Sequence, residues 1–267
     1  MAAGPSILFV ADVIGSIGRQ ALRAALPVLR AEHDPTFVVV NGENAAGGVG
    51  ITPGIADELF GWGVDAITLG NHTYRQREVW RYLDETDAIV RPANYLQSQP
   101  GHGSCIVERD GIRLGVLNLM GNLYLDPGRV LFAQAEVEVE KLRRAGVDHI
   151  LVDIHAEATS EKVALGWELD GRVTAVVGTH THVPTADARV LPGGTAYMTD
   201  VGMCGPRDSV IGVRKELAIE AMRTKMPVRF EPAKGDPWVC AVLVRCGDRP
   251  NRAVEVLPIQ LSPHVVG

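Results

Sequence analysis

The sequence predicts an α/β fold, and three observations predict it. Apolar, β-branched runs of strand length alternate with amphipathic segments of helical spacing through most of the chain. Four of the five principal runs are nearly continuous, as strands covered on both faces must be. The 29 Gly and 16 Pro are spread evenly over the 267 residues, so no linker stands out. Compact domains reach roughly 250–300 residues before a single core stops growing. One domain over residues 1–267 is therefore expected, with two small ones as the alternative.

The five runs are Ile7–Ala11, Phe37–Val40, Ala66–Leu69, Ile150–Ile154 and Thr174–Val177. After the first, Gly18–Glu32 carries Leu22, Leu26 and Leu29 at helical spacing. Thr52-Pro53 reads as a helix N-cap followed by proline at the first helical position, opening a helix toward Trp62. Val130–Ala145 and Ser160–Leu169 are two further helices. Trp238–Arg245 and Ala253–Leu257, joined by a turn at Gly247–Pro250, predict a hairpin at the edge of a mixed sheet.

Composition excludes several classes. With 46% hydrophobic residues the chain is not disordered. No run approaches the roughly 20 apolar residues of a membrane span. Met1–Ala11 is apolar, but no Lys or Arg precedes it and Asp12 follows, a poor secretion signal, so a cytoplasmic protein is expected. The 26 basic and 32 acidic residues give a net charge of −6, which leaves no broad nucleic-acid surface. A local site can still hold a small anion. Cys105, Cys204, Cys240 and Cys246 form no C-x-x-C pair and are expected as reduced thiols. Homo-oligomers are common, and one is expected here.

The residues just beyond each run carry the chemistry. Asp12 follows the first, Asn41-Gly42-Glu43-Asn44 the second, Gly70-Asn71-His72 the third, His155 the fourth and Thr179-His180-Thr181-His182 the fifth. Ligands of open α/β sheets bind outside the carboxyl ends of the strands. Oxygen and nitrogen donors without thiolate suit Mn²⁺, Fe or Zn²⁺ rather than a structural thiolate zinc site. Histidines at i and i+2 in a loop can reach two neighbouring metals. Two divalent ions against Asp12, Glu43 and a hydroxide would leave a cationic site suited to phosphate, with the ions clamping phosphate and attacking hydroxide in line. That is a hydrolase site.

The same residues resemble the calcineurin-like metallophosphoesterases, and more closely their YmdB-like bacterial branch of cyclic-nucleotide phosphodiesterases. The similarity lies in Asp12-Val13-Ile14-Gly15 with Gly18-Arg19, Asn41–Ala45, Leu69–His72, Gly178–His182 and Tyr197–Met203 through Gly212. Ile14 stands where the wider superfamily has His, Glu43-Asn44 where it has the bridging Asp, and Thr73 where an acid follows Gly-Asn-His; Glu43-Asn44 and Ile14 match the branch. The resemblance implies a four-layer α/β/β/α sandwich with mixed sheets. It implies that Asp12, Asn44 and His182 hold one divalent ion, that Asn71, His155 and His180 hold the other, Fe or Mn, and that Glu43 bridges them. His72 is implied as the general acid protonating the leaving ribose oxygen after a metal hydroxide attacks a 2′,3′- or 3′,5′-cyclic nucleotide. A phosphomonoesterase or nucleotidase, a metal-binding regulatory protein with residual activity, and a non-catalytic nucleotide-binding module are the alternatives.

Other features favour structural roles. Ala45–Gly50 is glycine-rich but lacks a dinucleotide or Gly-Lys-Ser/Thr fingerprint, so it reads as a loop, or as a backbone wall beside the metals or a subunit contact. Arg207 could meet substrate phosphate or a neighbouring carboxylate. Asn94, Asn118, Arg19 and Asp153 read as structural, as do His33, His102, His149 and His264 unless these four are solvated.

Overall fold

The computed structural model describes residues 4–263; His264 and Met1–Ala3 of the opening segment lie outside the described residues. In chain order the elements are β1 (Ser6–Val10), β2 (Asp12–Val13), α1 (Gly15–His33), β3 (Phe37–Asn41), α2 (Pro53–Gly61), β4 (Ala66–Thr68), α3 (Val79–Glu85), β5 (Ile89–Val90), β6 (Ser104–Arg109), β7 (Ile112–Met120), α4 (Leu131–Arg144), β8 (His149–His155), α5 (Thr159–Glu168), β9 (Ala175–Thr179), β10 (Arg189–Val190), β11 (Ala196–Met198), β12 (Met203–Pro206), α6 (Lys215–Thr224), β13 (Pro237–Cys246) and β14 (Ala253–Leu261). All five expected runs form strands and all four expected helices form, with ends displaced by at most three residues. Thr52 caps α2 as its position predicts, its hydroxyl accepting from Ile55 N at 3.3 Å.

The strands make two mixed sheets. In one, β1, β3, β4 and β5 run parallel in that order, β13 pairs antiparallel with β1 and β12, and β2 runs parallel to β12. The expected hairpin lies at the edge of this sheet: β14 pairs with β13, whose other side is shared by β1 and β12. In the second sheet β7, β8, β9 and β11 are parallel, with antiparallel β6 and β10 at its margins.

Alternate residues of the buried strands serve different cores, which is why their sequences are apolar throughout. Leu8, Val10, Val38 and Val40 join Leu22, Leu26 and Leu29 of α1 and Leu59 of α2. Phe9, Val39 and Val242 of the first sheet meet Val116, Leu151 and Val177 of the second. Ile150, Val152 and Val176 pack with Leu131, Val139 and Leu165 from α4 and α5. The parallel strands of both sheets therefore stop at one end of the molecule, where polar residues replace this apolar alternation.

Candidate metal centre

Each donor is placed by a short feature at a strand end. Asp12 opens β2 directly after β1. Asn41, the last residue of β3, accepts from Glu43 N at 3.2 Å through its side chain, a local turn that swings Glu43 inward. After β4 the chain folds back on itself as Thr73 Oγ1 donates to Gly70 O at 2.6 Å, which brings Asn71 and His72 beside Glu43. His155 ends β8, and His180 and His182 follow β9.

Glu43 is the centre of the arrangement. Its Oε1 lies 3.0 Å from Asn44 Nδ2, 3.3 Å from His155 Nε2 and 3.3 Å from His72 Nδ1. On one side Asn44 Nδ2 lies 3.2 Å from His182 Nε2, itself 3.7 Å from Asp12 Oδ1. On the other, His155 Nε2 lies 2.9 Å from Asn71 Oδ1 and 3.0 Å from His180 Nδ1. The other six sequence-predicted donors thus gather in two groups flanking Glu43, and Glu43, His155 and His180 can direct ligand atoms to a common point. Asn44 turns Nδ2 rather than Oδ1 toward Glu43 and His182, while its Oδ1 lies 2.7 Å from His72 Nδ1. A half-turn of the amide exchanges the two ends, and an oxygen ligand requires that turn.

The imidazoles are oriented from behind. Thr179 Oγ1 donates to Asp153 Oδ1 at 2.7 Å and so accepts from His155 Nδ1 at 2.9 Å, which turns the lone pair of His155 Nε2 into the site. Asp153 also accepts from Asn41 Nδ2 at 3.0 Å and from Thr68 Oγ1 at 2.5 Å, so one buried carboxylate ties together three strand ends. Ile211 O accepts from His182 Nδ1 at 2.9 Å, and Glu157 Oε2 lies 3.1 Å from His180 Nε2. His180 and His182 adopt left-handed backbone at φ 96° and 63°, a strained state for non-glycine residues. Asp200 clamps the intervening residue, accepting from Thr181 N at 3.2 Å and Thr181 Oγ1 at 2.7 Å, and is itself paired with buried Lys162 at 2.7 Å.

Electrostatics follow from this crowding. Burial would raise Glu43, but the charges and hydrogen bonds of His155 and His72 hold it well below the usual carboxylate range. Burial likewise opposes charge on His182, yet the adjacent Asp12 outweighs it and lifts the imidazole to about 9. His180 is pushed down to about 4 by burial and by His155. Burial raises Asp153 to about 6 against the hydrogen bonds of its partners. Protons on imidazole thus balance buried carboxylates, a role that a cation takes over when it binds.

The residues fit divalent ions on three counts. Asp12 Oδ1 is fully buried and has no hydrogen-bond partner among the described residues, an expensive state that a cation relieves. A Cβ at Gly70 would fall on Glu43 Oε2 and His155 Nε2, so glycine there leaves the donors their space. The donor set is imidazole, carboxylate and carboxamide, with all four cysteines free and buried elsewhere.

Residues left open by the sequence also find places. Arg207 lies over the Trp238 ring at 5.4 Å, away from the donors, and Asp208 pairs with Lys215 at 2.7 Å. Arg19 pairs with Glu58 at 3.2 Å. Asn94 is buried and bonds Met120 through both side-chain ends, Nδ2 to O at 2.7 Å and N to Oδ1 at 2.9 Å. Sequence reasoning did not find the orienting roles of Thr179, Glu157, Lys162 and Asp200. The legible signal was Asp153, since a carboxylate inside a buried apolar run needs partners.

Two mixed sheets that bring imidazole, carboxylate and carboxamide donors to one edge define a metal-site α/β protein. Residues 8–259 match the model of the YmdB-like protein family, and the chain belongs to that family. It is 46% identical over 257 residues to the 2′,3′-cyclic-nucleotide 2′-phosphodiesterase of Bacillus subtilis, covering 96% of this chain and 97% of that one. Among solved structures, a hypothetical protein from Thermus thermophilus superimposes with TM-score 0.90 at 39% identity, covering 97% of this chain and 99% of the other. A Mycoplasma pneumoniae protein described as a novel phosphatase gives TM-score 0.90 at 33% identity, with 98% and 95% covered.

Proposed function

We propose that this chain is a metal-dependent phosphodiesterase that opens a small cyclic nucleotide, a 2′,3′-cyclic ester in preference to a 3′,5′-cyclic one. The observation that carries this reading is the gathering of six donors about Glu43 with His72 beside them. The likeness to the Bacillus subtilis enzyme supports the substrate class. In this reading Asp12, Asn44 and His182 would hold one divalent ion, Asn71, His155 and His180 would hold a second, and Glu43 would be shared; Fe or Mn would suit the donors. When bound, such ions draw charge from phosphoryl oxygens and ease deprotonation of water.

The protein's own part is to orient and to move a proton. Asn44 and Glu43 hold His72 through Nδ1 and its backbone N–H, which donates to Glu43 Oε2 at 3.1 Å, so Nε2 is left to pass a proton to the departing ribose oxygen. A positioned general acid contributes about 10²–10⁴-fold. Thr179, Asp153 and Ile211 keep the other imidazoles turned inward without reorganisation.

The three cores support a four-layer α/β/β/α arrangement. Pairing of β1 with β13 near the chain's other end supports a single domain over 1–267. The free cysteines support a cytoplasmic setting, and exposed Ile219, Met222 and Met226 on and after α6 support a homo-oligomer. The deciding experiment sets 2′,3′-cyclic AMP, 3′,5′-cyclic AMP and AMP side by side with chelator-stripped, Mn²⁺-reloaded protein. Metal-dependent opening of the 2′,3′ ring with AMP left intact is expected. Phosphate release from AMP alone would make the chain a phosphomonoesterase, and no hydrolysis with two ions bound would make it a regulatory metal protein.

A further inference from the structure

A cavity of about 290 Å³ opens directly beside the donors. His72 and His182 line it on the side of the donors, and Ile14, Val49, Ile211 and Phe230 supply its apolar lining. Gly47 and Gly48 contribute backbone only, and a Cβ at Gly47 would meet nothing within 4 Å, so that side stays open. Glu231 at the rim is paired with Arg214 at 3.2 Å. The lining is apolar yet uncovered: Phe230 is 56% exposed, Ile211 50% and Val49 41%, against zero for most of the core. An apolar pocket that shares a wall with a polar reaction centre is the usual form of a small-molecule site.

We propose that this cavity is the seat of the substrate's nucleobase, with Phe230 as its stacking face, and that it makes the chain prefer purine cyclic esters over pyrimidine ones. The inference rests on the phosphodiesterase reading above and adds the group that is recognised. Continuity with the donors selects the occupant. A phosphate seated at the donor cluster, with His72 at its leaving oxygen, has its sugar and base tethered beside the lining that Asn44, His72 and His182 share with the cavity. A nucleobase is flat and π-faced, and stacking on an aromatic side chain is tolerant of base identity. With an apolar lining and the one rim carboxylate already paired, discrimination follows buried ring area, which favours two rings over one. Ile14, at the position where the sequence departs from the wider superfamily, becomes part of the base seat.

The test compares metal-loaded wild type, F230A and F230W on 2′,3′-cyclic AMP, 2′,3′-cyclic CMP and glycerol 1,2-cyclic phosphate, which keeps the five-membered ring and lacks a base. Wild type is expected to show its lowest KM with cyclic AMP. F230A is expected to raise KM for cyclic AMP on the order of tenfold more than for the glycerol ester, with kcat for cyclic AMP little changed, and F230W to restore the preference. Equal effects of F230A on all three esters overturn the inference, as does a change in oligomeric state with kinetics intact, which would assign the patch to a second copy of the chain. Failure of wild type to open any ring refutes the phosphodiesterase reading instead. The seat is then decided by calorimetry with AMP: weaker binding by F230A supports it, and unchanged binding overturns it.

Discussion

Removing the charge of Lys162 tests how the ligand loop is held. Lys162 is fully buried, and its Nζ donates to Asp200 Oδ2 at 2.7 Å. Breaking a buried ion pair by deleting one partner costs about 3–5 kcal/mol, because the other charge stays behind. Asp200 keeps donors from Thr181 N at 3.2 Å, Thr181 Oγ1 at 2.7 Å and Gly202 N at 2.9 Å, which compensate part of its burial. The expected cost of Lys162→Met is therefore at the low end, about 3 kcal/mol. At a urea slope of about 3 kcal/mol/M this moves the midpoint down by about 1 M. Metal-stripped protein is the right sample, since bound ions would mask the change. Adding Asp200→Asn to K162M is expected to recover about 1 kcal/mol or more, because the stranded charge is then gone. Metal content should fall in K162M and stay low in the double variant, where Thr181 has lost its charged clamp between two strained histidines. A K162M cost under about 1 kcal/mol, or further destabilisation on adding D200N, would refute this reasoning.

Four further predictions concern single residues. His72→Ala is expected to lower turnover about 10²–10⁴-fold with two ions per chain retained, measured by steady-state kinetics and elemental analysis; loss of the ions would make His72 a ligand. Glu43→Ala removes the residue shared by both donor groups and is expected to empty both positions. Gly70→Ala places a Cβ on Glu43 and His155 and is expected to abolish metal uptake while leaving the circular dichroism of the fold near wild type. Burial holds His149 below the usual imidazole range, so the unfolded chain takes up the proton first, and this residue's contribution to stability is lost as pH falls below about 6.5. Urea midpoints measured from pH 8 to pH 5 should drop less for His149→Gln than for wild type.

The strands were legible in the sequence because parallel strands covered on both faces must be apolar nearly throughout: Ile7–Ala11 and Phe37–Val40 are wholly so, and Ile150–Ile154 is broken only by Asp153. Their ends were legible for the complementary reason. Asp12, Glu43, His155 and the His180–His182 pair interrupt apolar runs abruptly, and topology brings parallel strand ends to one edge. Boundaries drifted where the last strand residue is itself polar, as with Asn41 and His155, since pairing in the sheet continues one residue past the end of hydrophobicity.

The sequence by itself determined the fold class, the α-helix starts signalled by local chemistry such as Thr52-Pro53, and the kinds of donor that reach the site. These are local properties, set by periodicity and residue type within a few positions. The grouping of donors about Glu43 was implied by family resemblance alone, and only the tertiary structure decided which nitrogen each imidazole turns inward and that Asp153, Lys162 and Asp200 support them. Those facts depend on pairs such as Asn41 with Asp153 or Lys162 with Asp200, separated by 112 and 38 residues, and no local pattern records such contacts. The apolar seat beside His72 is of the same kind, since Ile14, Val49 and Phe230 come from distant stretches of chain that follow or precede strands of the first sheet and meet only in the fold.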